Sequence, residues 1–173
     1  AAHNIEVGVR FHEDEEDRLQ RNSTYQQVNG KLVLNDVGIL GNAGNRVQEA
    51  QAFAAHIYDR IELGKWTFTP GVRLEDIDQK RTRYTGGAQR IFRDERANST
   101  NVVLPGIGAL YSLSDNTTLV AGVHKGFTAP SNSPSAKEEQ ALNYELGFRF
   151  ANDALNAEAI LFLSDYDNIV GQC

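Results

Sequence analysis

The 173-residue sequence has no methionine, one cysteine, one tryptophan and four prolines. Cys173, alone and last, says nothing about redox compartment, because a partner would lie past the end of the chain. A chain that opens on Ala1-Ala2-His3 and stops just after an apolar strand reads as a piece, residues 1–173, of a longer polypeptide, with any signal peptide upstream. No run of about 18 apolar residues occurs, which excludes a helical membrane span but not a β-barrel, whose lipid face takes only alternate residues. Enzyme signatures are missing too. Gly106-Ile107-Gly108 lacks the third glycine and following helix of a dinucleotide site, and there is no phosphate loop with Gly-Lys-Ser/Thr. His3, His12, His56 and His124 are not at metal-ligand spacing, nothing activates Cys173, and a hydrolase triad has no positive support. The expectation is no catalysis, no metal and no cofactor. A net charge of −6 argues against a nucleic-acid binder.

What is present is an alternation of connections. Tight turns near Glu62-Leu63-Gly64-Lys65, Ser114-Asp115-Asn116 and Ala151-Asn152-Asp153 alternate with long polar stretches at 14–46, 79–98 and 127–140. Strand patterns lie between them. Ile5, Val7, Val9 and Phe11 alternate with polar residues, and strands follow at about 47–61, from Trp66 to Glu75, and at about 99–113 and 117–127. The cleanest pattern sets Leu142, Tyr144, Leu146, Phe148 and Phe150 against Asn143, Glu145, Gly147 and Arg149, followed by Leu155, Ala157, Ala159, Leu161 and Leu163. Pro70 cannot donate to a ladder and predicts a bulge or irregular pairing. Asn29-Gly30 predicts a small hairpin inside the first long stretch.

The fold class is therefore all-β, an antiparallel up-and-down meander of about seven strands, with short connections at one end and long ones at the other. That is how a transmembrane β-barrel is built. A soluble β-sandwich alternates in the same way. However, seven strands with one apolar face need a second layer or closure, and no amphipathic helix is supplied. Val103, Ile107, Ala109 and Tyr111, then Leu119, Ala121 and Val123, are the candidate lipid-side residues. Trp66, Tyr111 and Phe150, close to turns, would sit in an aromatic girdle.

The segments Phe68-Thr69-Pro70-Gly71-Val72-Arg73-Leu74-Glu75, Leu104-Pro105-Gly106-Ile107-Gly108-Ala109-Leu110-Tyr111, Lys125-Gly126-Phe127-Thr128-Ala129-Pro130 and Asn143-Tyr144-Glu145-Leu146-Gly147-Phe148-Arg149 resemble the barrel of TonB-dependent outer-membrane receptors, above all the ferric-dicitrate branch. The likeness runs from about residue 47 to the end. It implies a segment of a barrel of about 22 strands in the bacterial outer membrane, surrounded by lipid and lipopolysaccharide. An N-terminal plug fills such a barrel, and TonB relays energy for uptake of a ferric siderophore or citrate chelate. Iron enters only as part of that chelate. A plug and a TonB box are absent from these residues, so the segment alone is not expected to transport. The alternatives are a passive porin-like channel segment and a soluble β-sandwich binding module.

Charge is unevenly placed. Lys80, Arg81, Arg83, Arg90, Arg93 and Arg96 fall within 79–98, opposed only by Asp94 and Glu95. Guanidinium groups bind carboxylates and phosphates bidentately, so Arg81, Arg83, Arg90, Arg93 and Arg96 are the candidate ligand-binding set; the competing reading is a solvated or lipopolysaccharide-binding loop. Arg73, His124 and Arg149 are candidate lumen-facing cations, expected to pair with carboxylates such as Glu75, Glu145 and Glu158 or with the plug. The acidic block Glu13 to Asp17 supplies oxygen ligands but no calcium-loop spacing, and reads as a hydrated loop.

Overall fold

The computed structural model describes residues 1–131 and 136–169. Cys173 and the middle of the 127–140 stretch lie outside the described residues. One antiparallel sheet dominates. It comprises β1 (Ala2–Gln20), β4 (Gly44–Leu63), β5 (Trp66–Thr85), β6 (Ile91–Ser114), β7 (Thr117–Thr128), β8 (Glu139–Ala151) and β9 (Asn156–Asp167), each paired with its neighbour in that order. The remaining strands, β2 (Thr24–Val28) and β3 (Lys31–Asp36), form the separate hairpin expected from Asn29-Gly30, both of which hold positive φ.

The register assigns every strand residue to one of two faces. Along the row Leu63, Trp66, Tyr111, Leu119, Phe148 and Ala159, each residue is partnered by the next, and all are on one face. The same face carries Ile5, Val7, Val9, Phe11, Val103, Ile107, Leu146 and Leu163. Among the described residues nothing covers it: Val9, Leu146 and Leu161 are 74%, 62% and 77% exposed. The buried apolar strand residues among those described, Ala54, Val102 and Ala141, lie on the opposite face. A sandwich would hide the apolar face against a second layer, and the described residues supply no second layer.

The apolar set also runs obliquely across the ladder. Ile5, at the turn end of the β1 set, pairs with Asp59, and Pro70, opposite Asp59 in register, begins a row through Ile107, Val123 and Tyr144 to Leu163. Leu163 is the last apolar residue of β9 before Asp165 at the other end. One lateral row thus meets the bottom of the apolar set on β1 and its top on β9, a slip of about one residue per strand, as tilted barrel strands require. Along β4 and β6 the set spans Phe53–Leu63 and Val103–Leu113. At about 3.3 Å per residue and a tilt near 40°, that is a band about 25 Å tall. Trp66 and Tyr111 rings, with centroids 4.6 Å apart, mark its turn edge.

Pro70 produces a gap rather than a bulge. Pairing is missing between Tyr58↔Gly71 and Ile61↔Phe68, yet the register is unchanged across it. Asp59 sits at this gap on the apolar face, and its carboxylate is 2.6 Å from the His3 ring. Leu155 lies in the turn before β9, its carbonyl accepting from the Asn152 amide.

Two of the long polar stretches are mostly strand. β1 continues to Gln20, so the Glu13–Asp17 block is strand rather than loop, and β5 and β6 extend through 79–98 with only 86–90 at the tip. Polarity there marks walls that rise beyond the apolar band, because alternating Thr, Gln, Glu and Arg pair across strands as readily as apolar residues do. The connection between β7 and β8 does stay irregular where it is described.

Candidate functional site

The long-connection end of the polar face carries the densest positive charge. Arg18, Arg46, Arg83 and Asp94 form one lateral row across four strands, each partnered by the next. The next row runs from Glu16 through Gln48 and Arg81 to Arg96. Five guanidiniums on four adjacent strands thus share one face because the register places them there, two residues apart along β5 and directly opposite across its neighbours.

Their partners are unequal. Arg83 donates from Nε and Nη2 to Asp94 at 2.6 and 2.7 Å, a bidentate pair. Arg18 donates to the amide oxygen of Gln20. Arg46 reaches Glu16 only at 3.5 Å, and the Nε atoms of Arg46 and Arg81 are buried without a partner. Desolvation, followed by the neighbouring guanidiniums of Arg83, Arg96 and Arg46, holds Arg81 below the usual arginine range. The hydrogen bond to Asp94 raises Arg83, and reciprocally that to Arg83 lowers Asp94. A pocket of 230 Å³ lined by Asn42, Arg46, Arg83 and Arg93 opens beside them. This is an under-neutralised guanidinium cluster suited to an anion that brings several carboxylates.

The candidate arginines of 79–98 therefore divide. Arg81, Arg83 and Arg96 are together on the polar face. Arg90, in a left-handed conformation at the hairpin tip, instead clamps Asp17 bidentately and lies 5.5 Å over the Tyr84 ring. Arg93 is the extra residue of a bulge between Arg83 and Tyr84, 3.6 Å from Asp94. Arg18 and Arg46 were missed. The signal is in the sequence, since Glu16-Asp17-Arg18-Leu19-Gln20 and Arg46-Val47-Gln48 continue the parity of β1 and β4, but both faces are polar there and hydropathy hides it.

Arg73, His124 and Arg149 all lie on the polar face, Arg149 beside a turn and His124 toward the long-connection end of β7. Two of them are neutralised within the wall, Arg73 by Glu75 and Arg149 by Glu158 at 2.6 Å. His124 borders a furrow of 630 Å³ floored by Gly71, Gly106, Gly108 and Gly122 and flanked by His56 and Glu145. Within the acidic block, Asp17 takes Arg90, Glu16 approaches Arg46 and Glu13 accepts from Gln51, and no group of metal-ligating side chains occurs among the described residues.

Comparison with known proteins gives a consistent result. The family described as "TonB dependent receptor-like, beta-barrel" matches residues 2–172. The pesticin receptor of Yersinia pestis is 25% identical over 83% of this chain and 23% of its own length. The structure of the ferric citrate transporter FecA in its unliganded form superposes with a TM-score of 0.71 at 26% identity, over 95% of this chain and 24% of FecA. The ferric-catecholate import receptor Fiu of E. coli K12 superposes at 0.74 with 20% identity, over 99% of this chain and 29% of Fiu, a likeness of fold. The chain spans about a quarter of the length of these relatives.

Proposed function

Because the chain belongs to the TonB-dependent receptor β-barrel family of the bacterial outer membrane, we propose that it forms part of the wall of a receptor that takes up an anionic ferric chelate. The turns then face the periplasm, the long connections face outward, and the polar face lines the lumen. The observation that carries this reading is the arginine cluster, with Nε of Arg46 and Arg81 buried and unpaired at the outward end. Carboxylates of a citrate-type chelate are the groups that such forks bind in pairs. The likeness to a ferric citrate transporter supports the same ligand class.

Iron is cargo here, held by its own chelator, and the protein's part is recognition and gated passage with no bond made or broken. A plug domain and energy relayed by TonB belong to the full-length receptor in this proposal. In-wall pairs such as Arg149–Glu158 serve the fold and do not contact the ligand.

The test is binding of ferric citrate to the full-length receptor in detergent. Each charge-assisted hydrogen bond contributes about 1.5–3 kcal/mol, so the double variant Arg46→Gln, Arg81→Gln is expected to bind at least about 100-fold more weakly. Arg149→Gln, far from the cluster, leaves affinity within about twofold of wild type. Unchanged affinity in the double variant would remove the cluster from the ligand site.

A further inference from the structure

One carboxylate already occupies the arginine cluster. Asp94 fills the Arg83 fork with the two parallel hydrogen bonds that a ligand carboxylate would make there. Arg93, released from the ladder by the bulge, approaches the same carboxylate. Arg46, directly opposite Arg83 on β4, and Arg81, two residues along β5, are not hydrogen-bonded to Asp94, and their buried Nε atoms are unpartnered.

We propose that Asp94 is a displaceable internal stand-in for a ligand carboxylate, and that it sets how many carboxylates a chelate must bring before the cluster accepts it. The inference rests on the reading of this cluster as the anion site. A neutral chelate cannot replace the ion pair it would have to break, and one with a single free carboxylate would exchange one ion pair for another and gain little. A polycarboxylate chelate recovers the Arg83 bond and also satisfies Arg46 and Arg81, so the exchange is favourable only for it. Displaced, Asp94 keeps Arg93 as a partner, so its charge is not stranded. Asp94 is thus a specificity-determining residue that favours polycarboxylate chelates through competition.

The test titrates the full-length receptor with ferric citrate at fixed ionic strength, after an unheated-gel shift has shown that each variant is folded. Asp94→Asn is expected to bind about tenfold more tightly, the value of one charge-assisted bond no longer displaced. Glu95→Gln makes the same charge change on the opposite face, where Glu95 pairs with Lys80 at 3.2 Å, and is expected to leave affinity unchanged. Arg81→Gln weakens binding in both the wild-type and Asp94→Asn backgrounds. If Asp94→Asn does not fold, Asp94→Ser takes its place with the same expectation. Unchanged or weaker binding in the Asp94 variants, with Arg81→Gln still weakening it, overturns the stand-in and leaves the anion site. Equal tightening by Glu95→Gln assigns the effect to long-range charge and overturns it too. No effect of Arg81→Gln overturns the anion site itself.

Discussion

At the scale of single residues, the arginines of the 79–98 segment share a charge but differ in their partners. Arg81 is desolvated among other guanidiniums and has an open donor, whereas Arg90 is spent on Asp17. Hydrogen bonding to Arg90 holds the Asp17 carboxyl below its usual range. A group whose folded pKa is depressed contributes stability above its unfolded pKa, about 3.9, and loses it only as pH falls through the folded value. The clamp over the 86–90 tip should therefore be constant across pH 5–8. Hydrogen exchange of amides 86–90, corrected for intrinsic rate, is expected to show flat protection from pH 8 to 5 and loss below about pH 4. Arg90→Gln should lose it at every pH. A decline between pH 8 and 5 would contradict the clamp. In the sequence these arginines were recognisable as a set but not separable, because which carboxylate each meets depends on register and on the Arg83/Tyr84 bulge.

At the scale of the strand, alternation was legible wherever one face is apolar, and the faces predicted for β1 and for β6 through β9 agree with the observed register. What escaped was strand length. Above the apolar band both faces are polar, so the two-residue period that betrays a strand disappears from hydropathy although the ladder continues. That is why 14–20 and 79–85 read as loop and why Arg18 and Arg46 were missed. The strand glycines Gly8, Gly44, Gly71, Gly106, Gly108, Gly122, Gly126 and Gly147 all lie on the polar face, and they differ in the room around them. A methyl at Gly147 would run into the backbone carbonyl of Ala159, while one at Gly108 meets nothing within 4 Å. Gly147→Ala is expected to destabilise the wall by about 1–3 kcal/mol, the usual cost of overpacking, and Gly108→Ala by less than about 0.5 kcal/mol. Urea midpoints of refolding into detergent micelles check the pair; equal midpoints would contradict the close approach of β8 and β9 at Gly147.

At the scale of the whole molecule, the sheet buries almost nothing within itself, and its oblique apolar band is the organising feature. The alternation of short turns with long connections indicated that architecture from sequence, but the band's slip of about one residue per strand needed the pairing of every strand with its neighbour. That slip decides between readings, because it is what a tilted wall facing hydrocarbon demands and what a sheet awaiting a second protein layer does not. The direct measurement is a scan of spin labels along β8 at positions 142 to 150, one cysteine at a time, in the full-length receptor with Cys173 replaced by serine and reconstituted in bilayers. Labels at Leu142, Tyr144, Leu146, Phe148 and Phe150 should be relaxed by oxygen dissolved in the lipid, and labels at Asn143, Glu145, Gly147 and Arg149 should not, giving a strict two-residue oscillation. If the first set is shielded from oxygen and from aqueous relaxants alike, those side chains are packed against protein, and the membrane wall described here is wrong.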